Sequence, residues 1–133
     1  MPLYEKNKLL GCLKEMFIKA LKSKIHAATV TSTKLNYPGS LAVDSELMAA
    51  AGILSYEAVL MADVTNGNRA ETYVIPAEAG SGKIEVLGAA ARLFNPGDTI
   101  IIINFGYYTP QEAEKLKPKV VVVDENNKIK KLL

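Results

Sequence analysis

From Lys24 onward apolar and polar residues alternate along the chain, a period of two that marks strands rather than helices. The stretches KIHAATVT (24–31) and SLAVD (40–44) predict two strands. SELMAAAG (45–52) then changes period and predicts one or two helical turns, stopped at Gly52. EAVLMADV (57–64) and RAETYVI (69–75) flank Asn66-Gly67, a strong hairpin signal. AGSG (79–82) is a turn and KIEVL (83–87) a further strand. GAAARLF (88–94) predicts one helical turn, and NPGD (95–98) a turn. TIIIINF (99–105) is too apolar to have a wet face and predicts a central core strand. Thr109-Pro110-Gln111-Glu112 has the form of a capping box with proline at the first helical position, so a short helix follows, ended by Pro118. VVVVD (120–124) is another core strand, and Glu125-Asn126-Asn127 turns into a last short one.

Ahead of these, Leu9, Leu10, Leu13, Met16, Phe17 and Leu21 recur near helical spacing between lysines and glutamates. Residues 5–21 therefore predict an amphipathic helix, or else a poorly ordered lead-in; Met16 is a second possible start. The sum is seven or eight short strands with two or three helical turns. That is a mostly-β, closed architecture, a small β-barrel, because the helices are too short and too few to cover both faces of a parallel sheet.

The 133 residues suit one domain with a real core. A formal net charge of +2 is too small to point to a nucleic-acid or membrane partner. Lys128, Lys130 and Lys131 form a basic tail that reads as protection of an edge strand. One cysteine, Cys12, rules out a disulfide framework within the chain, and one histidine, His26, argues against a metal. No apolar run has membrane-spanning length and no signal peptide is evident, so a cytoplasmic protein is expected. GSGK (80–83) has the ending of a phosphate loop, but the upstream glycine spacing is wrong and no helix follows. Nucleophile elbow, Cys–His pair and basic–aromatic interleaving are all missing, so an enzyme of this sequence needs another source of reactivity.

The stretch NYPGS (36–40) supplies a candidate. Its residues favour a turn, and Gly-Ser alone means no more than that. A Gly-Ser bond in a tight turn can also be attacked by its own serine: the Ser40 hydroxyl adds to the Gly39 carbonyl, exchanging amide for ester. Glycine lets the backbone strain toward that geometry, and a nearby donor must stabilise the oxyanion. β-Elimination then leaves a chain ending at Gly39 and a new terminus that hydrolyses to a pyruvoyl group.

The context of the dipeptide decides between these. KSKIHAATVT, LNYPGSLAVD, AAGIL, VTNGNRAETYVI and GSGKIEVLGAAARL, in this order and spacing, resemble bacterial aspartate 1-decarboxylases, the pyruvoyl enzymes that make β-alanine for pantothenate and coenzyme A. The resemblance covers 16–133 as a single barrel domain, and residues 1–15 form an extension outside it. It implies a double-psi β-barrel, a homotetramer with sites between subunits, an amino-acid substrate, and cleavage between Gly39 and Ser40 into a short β chain and a longer α chain. By the same resemblance, Ser40 becomes the pyruvoyl group, an electron-accepting carbonyl cofactor. Lys24 and Arg69 hold the aspartate carboxylates. Thr72 assists cleavage and contributes to substrate binding. Tyr73 returns the proton to the carbanion. The backbone of Gly88, Ala89 and Ala90 lines the substrate pocket, with His26 and Tyr37 beside the site.

Three positions depart from the family pattern. Leu87 stands where asparagine is usual, Ala27 where arginine follows the histidine, and Pro38 where proline is seldom found. They bear on the rate of processing and on the choice of substrate. Two other readings follow from them: a pyruvoyl decarboxylase of another acidic amino acid such as glutamate, or an uncleaved barrel serving as a binding module. Periodicity adds a constraint. Arg69, Glu71 and Tyr73 share one face of a strand and Thr72 points the other way, unless the strand bulges or twists, or the two residues serve opposite sides of an interface.

Overall fold

A computed structural model describes residues 16–133. Nine strands form one sheet: β1 (Ile18–Thr29), β2 (Ser32–Lys34), β3 (Ser40–Asp44), β4 (Ala58–Asp63), β5 (Arg69–Ala77), β6 (Ile84–Leu87), β7 (Thr99–Tyr108), β8 (Lys119–Val123) and β9 (Ile129–Leu132). Their hydrogen-bonded order is β2-β6-β3-β5-β4-β7-β1-β8-β9. Two short helices, α1 (Ser45–Ala51) and α2 (Pro110–Glu114), and a 3₁₀ turn at Gly88–Arg92 complete it. The protein is mostly β and barrel-like. Among the described residues no helix is long and apolar enough to cross a membrane.

The alternation seen in the sequence becomes an inside and an outside. Ile25, Leu41, Val43, Val59, Met61, Val74, Ile84, Val86, Ile100, Ile102 and Val121 form one buried cluster drawn from seven strands. A flat sheet could not bring them together, so the sheet curls around them. Its two ends approach through specific contacts. The Thr31 N–H donates to the Ile84 carbonyl at 2.8 Å, joining the exit of β1 to β6. Asn127 is buried, with its amide Nδ2 donating to the carbonyls of Thr29 and Gly82, both at 2.8 Å, and its Oδ1 accepting from the Thr29 N–H.

Local signals explain the helices. Gly52 takes the left-handed conformation that ends α1, and Asp44 caps its start. The Thr109–Glu112 capping box forms on both sides and Pro110 opens α2, which ends at Glu114, before Pro118. TIIIINF is the central strand β7, between β4 and β1, and the lysine-rich tail does lie on the edge strand β9.

Two expectations change. The helical spacing over 5–21 fails where it can be followed: Ile18–Leu21 are the first residues of β1, paired with Tyr108 through Phe105, so strand pairing overrides the spacing. The rest of that predicted helix lies outside the described residues. The strands number nine because Ser32–Lys34, too short to show a period, also pairs with β6.

Candidate active site

Ser40 opens β3 and is 1% exposed, and its hydroxyl has no hydrogen-bond partner among the described residues. A buried hydroxyl left unpaired is costly; Ser23 on β1 is the other serine in this state among the described residues, but no glycine of positive φ precedes it. The preceding Gly39 has φ +115°, a conformation closed to side-chain-bearing residues. Gly88 completes the cradle: a Cβ there would lie 2.6 Å from the Gly39 Cα and 2.8 Å from the Tyr37 carbonyl oxygen. Two glycine backbones thus press together beside the Gly39–Ser40 peptide. Tyr37 is exposed, with the Lys34 amine 5.9 Å from its ring centre. Ala89 is exposed and Ala90 half-buried on the 3₁₀ turn that follows Gly88.

Strand register arranges the other residues. Ser40 pairs with Leu87 across β3–β6, and Tyr73 pairs with Ala58 across β5–β4. The parallel match of Leu41 with Val74, carried one step back, sets Ser40 level with Tyr73; one step further reaches Gly39 and Thr72. Leu41 and Val74 both face the core, so Ser40 and Tyr73 share the outer face. β5 runs against β4 without a register shift, so no bulge rotates Thr72 to join Tyr73. Thr72 stays on the inner face, beside Gly39, while Arg69, Glu71 and Tyr73 keep the outer one.

Lys24 lies on that same outer face but far along it. Glu71 pairs with Leu60, Leu60 with Ile103, and Ile103 with Lys24, a continuous row across four strands. Three strands, β5, β4 and β7, separate β1 from β3, which is roughly 19 Å along the sheet. His26, two residues on, is half-buried and its Nδ1 has no partner among the described residues. Ala27 takes φ +65° at a bulge between Ile25 and Ala28, which re-aims the strand just past His26. Arg69 is exposed where the chain leaves the β4–β5 hairpin, about 13 Å along β5 from Tyr73. One chain therefore gathers Gly39, Ser40, Thr72, Tyr73 and Gly88, and holds Arg69 and the Lys24–His26 pair apart from them. Two surface cavities, about 80 and 240 Å³, include none of Ser40, Arg69 or Lys24. No group of three or more metal-ligating side chains occurs among the described residues.

One feature sharpens the sequence reading of Leu87, and another escaped sequence reasoning. Leu87 is buried and paired with Ser40, so its side chain brings no hydrogen-bonding group to the orphan hydroxyl. Tyr56, in the turn before β4, packs on Tyr73 with ring centroids 6.3 Å apart. Its signal was faint, an aromatic residue between the stop of α1 and the next strand. Beneath it Glu57 accepts from Lys22 at 2.7 Å, from the Asn104 amide at 2.8 Å and from the Leu54 N–H at 3.0 Å. Burial opposes ionisation of Glu57, but those three donors outweigh it and hold its pKa below the ordinary value.

A buried serine, unpaired among the described residues, follows a glycine of positive φ on the outer face of a curled β-sheet, the feature that singles out this barrel-like protein. Comparison with known proteins makes this specific. The family model for aspartate decarboxylase matches residues 16–130. The aspartate 1-decarboxylase of Acetivibrio thermocellus is 57% identical over 86% of this chain and 90% of its own length. Those of Caldicellulosiruptor saccharolyticus and Stenotrophomonas maltophilia are 55% and 54% identical, over 88% and 86% of this chain and 91% and 90% of their own. The chain belongs to the aspartate decarboxylase family.

Proposed function

We propose that this protein is a self-processing, pyruvoyl-dependent decarboxylase that converts L-aspartate to β-alanine and carbon dioxide, the step that feeds pantothenate synthesis. Family membership supports the reaction; the observation that carries the self-processing is the buried, unpaired Ser40 hydroxyl immediately after Gly39 at φ +115°. The residues present fit a group made from Ser40, because an orphan nucleophile adjoins a glycine whose backbone bears no side chain and is held closely by the Gly88 backbone.

Cleavage begins when the Ser40 Oγ adds to the Gly39 carbonyl carbon and the C–N bond breaks, giving an ester and freeing the Ser40 amine. Thr72, level with Gly39 on the inner face, is the donor for the oxyanion that develops there. Loss of the Ser40 Cα proton then expels Gly39 as a carboxylate, and water replaces the nitrogen of the resulting enamine with oxygen, releasing ammonia. The pyruvoyl group, once formed, supplies a carbonyl able to take up the electron pair left by departing carbon dioxide.

The side chains do the rest. Arg69 and Lys24 bring positive charge to the outer face, where a substrate with two carboxylates needs it. The Tyr73 phenol, level with Ser40 on that face, is the proton donor to the product carbon. The backbone of Gly88, Ala89 and Ala90 walls the pocket without bulk, and His26 and Tyr37 border it. Because Lys24 and Ser40 are so far apart within one chain, the complete site forms between subunits of a homotetramer. Met16, Phe17, Leu54, Tyr56 and Tyr107, each 66% exposed or more, offer apolar surface for such packing. A lone cysteine fits a cytoplasmic setting.

Replacing Ser40 with alanine tests this directly. Intact mass should show the parent cut between Gly39 and Ser40 and the variant uncut, with carbon dioxide release from aspartate abolished in the variant. Decarboxylation surviving in Ser40→Ala would overturn the reading.

A further inference from the structure

Tyr56 has φ +69°, the left-handed region that residues other than glycine, asparagine, aspartate and histidine seldom occupy, and where a bulky side chain is an outlier. Its own burial does not compensate, since the residue is 75% exposed. The turn that holds it is fixed from several sides. The Tyr56 N–H donates to the Val74 carbonyl at 2.7 Å, the Val74 N–H to the Glu57 carbonyl at 3.0 Å, and the Glu57 N–H to the Leu54 carbonyl at 3.1 Å. The Glu57 carboxylate, anchored by Lys22 and Asn104, accepts from the Leu54 N–H and closes the turn from the other side. What the strained backbone achieves is placement of one ring: Tyr56 meets Tyr73 with planes tilted by 43°, within the range of favourable aromatic pairs. Strained residues held by an over-determined surrounding cluster at functional sites.

We propose that Tyr56 is a positioning residue for the decarboxylation, which leans on the Tyr73 ring and fixes the direction of its phenol O–H. This rests on the reading of Tyr73 as the proton donor, and it applies whether Tyr73 serves Ser40 of its own chain or of a neighbour. The contact is between ring bodies, so the Tyr56 hydroxyl is dispensable and its ring is not. Glycine at 56 relaxes the backbone and removes the contact together, which separates the two effects: stability holds or rises while turnover falls.

The experiment compares Tyr56→Gly, Tyr56→Asn, Tyr56→Phe and Tyr73→Phe with the parent as full-length processed enzymes. Intact mass, light scattering, Tm, kcat and KM for aspartate are measured on each. Glycine and asparagine variants that are fully cleaved, natively assembled and at least as heat-stable as the parent, with kcat lowered roughly ten- to a hundredfold at little-changed KM, support the inference. Near-parental kcat in Tyr56→Phe completes the support. Parental kcat in Tyr56→Gly and Tyr56→Asn, with Tyr73→Phe inactive, would overturn it and leave Tyr73 as the donor. Loss of assembly or cleavage in both Tyr56→Gly and Tyr56→Asn also overturns it, making Tyr56 a structural contact. Parental kcat in Tyr73→Phe sinks the donor reading itself, and the inference with it.

Discussion

At Gly88 a single hydrogen atom separates a workable site from a collision. The residue has φ +80°, and a methyl group there would sit 2.6 Å from the Gly39 Cα and 2.8 Å from its nitrogen, both immovable backbone. Gly97 has a similar φ of +91° but open space around it. Alanine at 97 therefore bears only the left-handed penalty, about 1–2 kcal/mol, whereas alanine at 88 bears it and must also displace the Gly39–Ser40 peptide. Gly88→Ala should lose its cleavage, read as uncut chain by intact mass, while Gly97→Ala, less stable by a few degrees in Tm, should still process fully. Equal cleavage in both would mean the close approach is irrelevant to chemistry. Much at this scale was legible, because Gly39, Ser40 and the small residues after position 87 announce tight backbone by type. Tyr56 and Ala27 did not: both adopt left-handed φ imposed by surrounding hydrogen bonds and strand pairing, and neither residue type hints at it.

The β4–β5 hairpin carries Arg69 at its exit and is held at its base by side-chain hydrogen bonds. Asp63 at its base accepts from the N–H groups of Thr65 and Asn66 through Oδ1, while its buried Oδ2 has no partner among the described residues. Asp98, also buried, faces it from the turn before β7 and accepts from the Asn95 N–H. Burial, and then the Asp98 carboxyl beside it, raise the Asp63 pKa above its ordinary 3.8. The folded protein thus holds this proton more tightly than the unfolded chain. The resulting stabilisation is complete below pH 3.8 and is lost as pH rises through the raised value. Asn at 63 keeps the acceptor for Thr65 and Asn66 and adds a donor toward Asp98. Asp63→Asn should therefore melt roughly 2–5 °C higher at neutral pH, with the gap closing in acid, as thermal melts from pH 4 to 8 would show. A variant less stable at every pH would mean that the negative charge itself holds the turn. The hairpin was plain from Asn66-Gly67, which marks a reversal between two strand patterns, but the loop is longer than the two-residue turn that pair favours: residues 64–68 separate β4 from β5, and only Gly67 among them has positive φ. The start of β1 was not, because Phe17 and Leu21 match a helical spacing as well as a strand, and only pairing with β7 selects between them.

On the scale of the molecule, Lys24, Arg69 and Ser40, the residues proposed to serve a dicarboxylate substrate, share one face of the sheet without meeting on it. No local rotamer change carries Lys24 across three strands to Ser40, so a site that uses both, as proposed above, needs a second chain laid against that face. The family resemblance implied which residues act together; only register showed that a single curled sheet keeps Lys24 far from Ser40, because positions along the chain say nothing of strand order. A mixing experiment follows. Lys24→Ala chains keep Ser40 and should process but fail to bind aspartate well; Ser40→Ala chains keep Lys24 but form no pyruvoyl group. Each alone should be nearly inactive. When the two are unfolded together and reassembled at equal amounts, a site drawing Ser40 from one chain and Lys24 from another is intact in about a quarter of cases, by the statistics of random closed oligomers. Recovery of activity toward that fraction of the parent, in complexes shown by mass to contain both chains, would demonstrate a shared site. Mixed complexes as inactive as the two variants alone would place both residues in the same chain's site, and the separation along the sheet would then have to close by folding back rather than by assembly.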